Sequence, residues 1–281
     1  MNFVTKIRHI TFILVIPLFL LRAQDSFKEQ FQLTKSLYAK ENYFDAITEL
    51  KRLLFFDNEG KYLFEANDLI GQCYKQGGKF SDAIRYFTLA EINAKNPERI
   101  YKEKIEIVRV NILRRTTQSA FRILNSLETD NRFKDKIDDI NYWRGWAYIF
   151  SDDWENAAAT FAKIDSAYQL QKLTEKVNNE LYSVGFAKAI SYIIPGAGQI
   201  YTGEYLSGFM SLGWNVLWGY YTVKAFAADR IFDGVMIANF LFLRFYRGNL
   251  QNAENFAEEK NLEISNEALR YLQNEYDGLK P

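Results

Sequence analysis

The chain has 281 residues with 35 Lys+Arg against 35 Asp+Glu, so a general nucleic-acid binder with its basic excess is excluded. At 48% hydrophobic and 25% charged it is not a disordered chain either. One cysteine (Cys73) excludes an intrachain disulfide and a cysteine metal cluster; one histidine (His9), in a segment expected to be removed, excludes Ser-His-Asp or Cys-His catalysis and a His-ligated zinc site.

Residues 1–23 read as a secretory signal. Lys6 and Arg8 give a basic start, Ile10 to Leu21 is an apolar run of twelve residues, and Leu21-Arg22-Ala23 offers a cleavage site. Twelve residues reach only ~18 Å as helix against a ~30 Å hydrocarbon core, which favours a cleaved signal over an uncleaved signal anchor. No cysteine follows the run, so no lipoprotein anchor is available. Removal takes Lys6, Arg8 and Arg22, leaving 32 basic against 35 acidic residues, a net −3.

A repeat occupies residues 26–165. ENYFDAITELKRLL, GGKFSDAIRYFTLA, RTTQSAFRILNSL and SDDWENAAATFAKI align without gaps, with Ala46, Ala83, Ala120 and Ala157 each 37 residues apart. Leu50, Phe87, Leu124 and Phe161 follow four residues on, then Leu53, Ala90, Leu127 and Ile164 three further on, the i, i+4, i+7 face of a helix. A second apolar helix precedes each: Phe31–Ala39, Ala66–Tyr74, Ile105–Leu113 and Tyr142–Phe150. Ser81 and Ser151 or Asp152 are expected N-caps, and Gly77-Gly78 supplies a tight turn.

With these residues in view the segment resembles the tetratricopeptide repeat (TPR) family. The second unit carries Ile70-Gly71, Tyr74, Gly78, Phe80, Ala83, Phe87, Ala90 and Pro97 at the family's places, and the fourth Gly145, Tyr148, Trp154, Ala157 and Phe161. The first matches through Leu33, Leu37, Tyr43, Ala46 and Leu50; the third departs, with Thr117 and Asn111 at aromatic positions. The resemblance implies an all-α, right-handed solenoid of helical hairpins whose concave groove is lined by the first helix of each unit. Carried over, the groove holds Lys35, Gln72, Arg109 and Trp146 in a column, with Tyr38, Asp68, Lys75 and Tyr142 beside it. Donors flanked by aromatics suit a partner's extended peptide or helix. Trp146 and Tyr142 packing against the next helix, and Cys73 as a small buried apolar residue, are the plainer outcomes.

Residues 166–188 read as a linker helix. Nine of the fifteen glycines then fall between Gly185 and Gly248. Leu206 to Val223 is eighteen residues without a formal charge, ~27 Å as helix, and Ile231 to Leu243 is a shorter second run. A transmembrane hairpin over 189–246 is therefore expected, against a buried hairpin in a globular domain. Gly203, Ser207, Ser211, Asn215 and Gly219 recur every four residues as a small-residue packing stripe, and Asn215 and Asn239 are placed to bond across the pair. Pro195-Gly196-x-Gly198-Gln199-x-Tyr201-x-Gly203 resembles the PGxGQxYxG signature of small bacterial membrane-hairpin domains, which implies topology rather than activity. Residues 247–281 complete the chain as an amphipathic tail with Leu250, Ala253, Phe256 and Ala257 on one side and a second short helix over Asn266–Tyr276.

These readings point to a non-enzymatic, exported TPR scaffold attached to the inner membrane, its repeats in the periplasm holding a protein partner; a soluble periplasmic protein is the alternative location. The competing function is an accessory factor in envelope or membrane-protein biogenesis acting through the hairpin. Partners are expected to be protein and the lipid bilayer, with no nucleic acid, metal or cofactor. Asp152-Asp153 and Asp138-Asp139 are carboxylate pairs, but they sit where helix starts and solvated turns want acids, and no catalytic residue is assigned.

Overall fold

The computed structural model describes residues 27–164 and 167–281; the expected signal, 1–23, lies outside them. The described residues are all helical, without strands, and divide into two compact units: one up to Tyr168 together with Lys280–Pro281, the other Gln169–Leu279.

The first unit is a solenoid-like stack of four helix pairs: α1 (27–39) with α2 (Tyr43–Phe56), α3 (Leu63–Gln76) with α4 (Phe80–Ile92), α5 (Pro97–Leu113) with α6 (Thr117–Thr129), and α7 (Ile137–Ile149) with α8 (Trp154–Phe161). Each helix packs on its neighbours in sequence. The 37-residue period is written into the backbone. Glu41, Gly78, Arg115 and Asp152 all adopt positive φ, between 58° and 68°. Directly after each, the N–H groups of Asn42, Lys79, Thr116 and Asp153 donate to the carbonyls of Leu37, Tyr74, Asn111 and Tyr148 at 2.8–3.0 Å. This is the same left-handed, back-bonded helix stop in all four pairs. The third pair keeps it although its sequence departs most, because Asn111 and Thr116 supply a local hydrogen bond of 2.8 Å in place of an aromatic contact.

The repeated stripe forms the core. The four anchor alanines and Leu50, Phe87, Leu124 and Phe161 are all fully buried. The second and fourth pairs carry glycine where the first helix meets the large residue: a Cβ on Gly71 would stand 2.6 Å from the Phe87 ring, and one on Gly145 2.4 Å from Phe161. The equivalent positions of the other pairs hold Thr34 and Val108, where the facing stripe residue is the smaller Leu. The caps differ from expectation. Ser81 lies inside α4, which starts without a side-chain cap, and Asp153 caps α8 by accepting from the Asn156 N–H at 3.1 Å.

The second unit contains α9 (Tyr168–Glu180), α10 (Val184–Ile193), the short α11 (Ala197–Tyr201), α12 (Tyr205–Ala227), α13 (Ile231–Ile237), a π-helical turn (Ala238–Phe242) and α14 (Leu243–Asn274). The stretch expected as one linker helix is two, parted where Ser183 caps α10 by accepting from the Phe186 N–H at 3.2 Å. The second arm of the hairpin runs without a break into α14, so the two tail helices expected after 247 are one, uninterrupted by proline.

The hairpin is present, since α12 packs against α13 and the π turn. Its arms do not meet the expectation of transmembrane spans: no helix among the described residues is long and apolar enough to cross a membrane. In α12 lack of charge is not lack of polarity, because Ser207, Ser211, Asn215, Trp214, Trp218, Tyr220 and Tyr221 dilute the aliphatic content. The expected Asn215–Asn239 bond is also absent. Asn215 donates to Ser211 O at 2.8 Å and Asn239 to Val235 O at 2.9 Å, each within its own helix.

Candidate functional site

The first-helix face of the repeat unit is tied together by charge. Arg99 donates to Glu65 at 2.8 Å, Lys102 pairs with Asp68, and Lys75 pairs with Glu106 at 3.2 Å, all between α3 and α5. Tyr101 donates to Asp139 at 2.7 Å between α5 and α7. Lys75 and Glu106 are both buried, and burial pulls the Lys75 ammonium below the usual lysine value against the attraction of Glu106. Burial, reinforced by the negative charge of Asp68, pushes the fully buried Glu103 carboxyl up to about 8.

The expected groove residues divide into two groups. Asp68, Gln72 and Lys75 lie along one face of α3, with Asp68 and Lys75 taken up in the ion pairs just described. Arg109 pairs with Glu106, lies over the Trp143 ring at 5.0 Å, and donates through Nη2 to the Lys280 carbonyl at 2.9 Å. Tyr38, half-buried beside Tyr43 at 5.6 Å, has its phenol pushed up first by burial and then by the neighbouring Cys73 thiol. Lys75 and Arg109 both pair with the one Glu106 carboxylate. The remaining residues serve elsewhere. Lys35 is exposed with its ammonium 4.9 Å from the Phe31 ring; Tyr142 meets Phe161 edge-on at 6.1 Å; Trp146 is buried near Phe150. Sequence reasoning missed Glu106 and Trp143. Both lie on the helix faces it had identified, one turn from Arg109 in the first case and beside Tyr142 in the second.

The PGxGQxYxG residues build a tight polar corner in the second unit. Gly196 has φ +93°, and a Cβ there would stand 2.1 Å from the Gly208 carbonyl, so only glycine admits the start of α12 this closely. A Cβ on Gly198 would strike Ala187 O, Ser191 Oγ and the Ala253 methyl, so α10, α11 and α14 meet there. Asn249 of α14, fully buried, is the hub. Its Oδ1 accepts from the Gly196 N–H at 2.7 Å, from Ser211 Oγ at 3.0 Å and from Gln199 Nε2 at 3.2 Å, while its Nδ2 donates to Ser191 O at 3.0 Å. Gly203, φ +86°, ends α11, and the Tyr201 hydroxyl accepts from the Ser183 N–H at 3.2 Å. Pro195 precedes the turn. Asn249 was not legible as a site; its only sequence signal is an amide beside the apolar residues Leu250 and Ala253.

The outside of this unit carries large apolar side chains. Leu206 (76%), Phe209 (64%), Val223 (68%), Phe232 (75%) and Phe240 (63%) are exposed, together with Tyr205, Tyr220 and Trp214.

The carboxylate pairs have structural places. Asp153 caps α8, Asp152 occupies a left-handed turn 3.7 Å from Arg115, Asp139 accepts from Tyr101, and Asp138 lies in the first turn of α7. Burial pushes the Cys73 thiol up to about 12, so at neutral pH it is protonated and not nucleophilic. Among the described residues no group of three or more His, Cys, Asp or Glu is arranged to hold a metal ion. No protein-family model, curated protein or solved structure matches the chain.

Proposed function

We propose that this is a non-enzymatic TPR scaffold, exported and attached at the inner membrane through the 189–246 hairpin, that holds a protein partner on the face built by its first helices. The observation that carries the membrane half is the exterior of the second unit: amides and hydroxyls converge on Asn249 while leucine, valine and phenylalanine side chains face outward. Water penalises such a surface and lipid does not. Attachment does not require a full crossing. Exposed Tyr205, Trp214, Tyr220 and Tyr221 are the residue types that settle at the headgroup level, and a hairpin can lie in that layer with its apolar side chains inserted. The secretory character of residues 1–23 supports the exported side, and the shared turn and buried stripe of the four helix pairs support the repeat assignment.

The alternative, an accessory factor that grips another integral protein by the small-residue stripe, has less support. Ser211 is bonded to Asn249 and Gly219 lies 3.4 Å from Phe242 by its built Cβ, so much of the stripe is already covered within the unit.

The test is flotation with phospholipid vesicles. The intact chain is expected to float with the lipid, and a variant with Leu206, Phe209, Val223 and Phe232 all changed to Ser to stay at the bottom with unchanged helix content. Intact protein that stays at the bottom contradicts the proposal.

A further inference from the structure

Arg109 is held from several directions within the first unit. Its Nη1 meets the Glu106 carboxylate, which is itself paired with Lys75 at 3.2 Å, both side chains below one-tenth exposed. The guanidinium plane lies over the Trp143 ring at 5.0 Å. Its Nε is buried without a partner, and its Nη2 is given to the main-chain carbonyl of Lys280 at 2.9 Å, in a segment (280–281) that belongs to this same unit.

A guanidinium already braced by an ion pair and an aromatic face loses little freedom on accepting a ligand, so its Nη2 donor is preorganised. The group it takes is a backbone oxygen, which every extended chain offers regardless of sequence. The bond is made to the Lys280 main chain, and the following Pro281 biases Lys280 toward an extended backbone. The contact therefore shows the kind of ligand the face accepts as well as a residue that accepts it.

Deepening the scaffold reading and resting on it, we propose that Arg109, on its Glu106–Lys75–Trp143 support, is a receptor for the main chain of an extended peptide segment, and that residues 280–281 occupy it in the resting protein. A partner segment then binds by displacing them.

The probe is a fluorescent synthetic peptide of residues 274–281, Asn-Glu-Tyr-Asp-Gly-Leu-Lys-Pro. It is titrated into the full chain and into a chain ended at Asn274, which keeps all of α14 and its last buried residue, Leu272. An internal ligand competes at high effective concentration, so the shortened chain is expected to bind the peptide about tenfold or more tighter than the full chain. Arg109→Ala in the shortened chain is expected to abolish that binding. A second measurement avoids truncation: a spin label on Leu279→Cys, with Cys73 buried and unreactive, is expected to be immobilised in the full chain and mobile when Arg109→Ala is added, at equal helix content. Absence of peptide binding to the shortened chain, or a label equally mobile with and without Arg109, overturns the inference. Vesicle flotation reads the membrane reading separately, so the two fail independently.

Discussion

Three residue-scale features carry measurable energy. Gly71 faces Phe87 where Val108 faces the Leu124 stripe position, so the pair volumes trade off. Gly71→Val alone is expected to overpack the core and cost about 2 kcal/mol. Adding Phe87→Leu should recover most of it, a coupling of roughly 1–2 kcal/mol by denaturant unfolding; additive effects would contradict this. Glu41 occupies the left-handed position that glycine fills at 78, so Glu41→Gly is expected to stabilise by up to about 1 kcal/mol, whereas Gly78→Ala destabilises. Glu103 gives a pH signature. Its carboxyl, raised to about 8, keeps a proton in the folded chain that the unfolded chain gives up near the ordinary value of 4.5. Its contribution to stability therefore falls as pH rises from 4.5 through about 8 and levels off above. Glu103→Gln removes that fall, so its melting temperature should gain on the parent at pH 8.5 but not at pH 4; equal profiles would contradict the assignment.

At the scale of elements, periodicity was readable and continuity was not. The alanine and leucine–phenylalanine stripe named the buried face of α2, α4, α6 and α8 because each position repeats the same contact every 37 residues. The helix stops were legible only at Gly78, since Glu41, Arg115 and Asp152 adopt the same conformation without the residue that announces it. Along the first helices, periodicity marks the residues expected to line a groove but not the partners they take. Asp68 and Lys75 are engaged with residues 34 and 31 positions away, and sequence alone does not reveal which charge across a helix pair is met. The tail was misread because Gly248 and the change from apolar to charged composition suggest a boundary, whereas Asn249, Ala253, Ala257, Ala268 and Leu272 form one buried line on α14. The PGxGQxYxG string was visible, but its meaning required its distant acceptor. Asn249→Ala leaves the Gly196 N–H and the Ser211 hydroxyl without their shared oxygen, each a loss of about 1–3 kcal/mol when buried, while Gln199 Nε2 keeps the main-chain carbonyl of residue 249 at 3.1 Å. The expected readout is rapid proteolysis within 185–250 while the repeat unit stays resistant.

At the scale of the molecule, two units with different surfaces share one chain. The repeat unit buries its apolar stripe and leaves separate apolar residues such as Phe44 and Ile92 exposed; the hairpin unit buries its amide cluster beside alanines and Leu272 and presents leucine, phenylalanine, tryptophan and tyrosine along its hairpin. On the function proposed above, the first surface holds protein and the second holds lipid. The five tryptophans report on it, because Trp143, Trp146 and Trp154 lie in the repeat unit and Trp214 and Trp218 in the hairpin. The most direct measurement is tryptophan quenching by brominated phospholipid in reconstituted vesicles. The account predicts partial quenching that disappears in the Trp214→Phe, Trp218→Phe double variant; no quenching of the parent, or quenching that persists in the double variant, would contradict it.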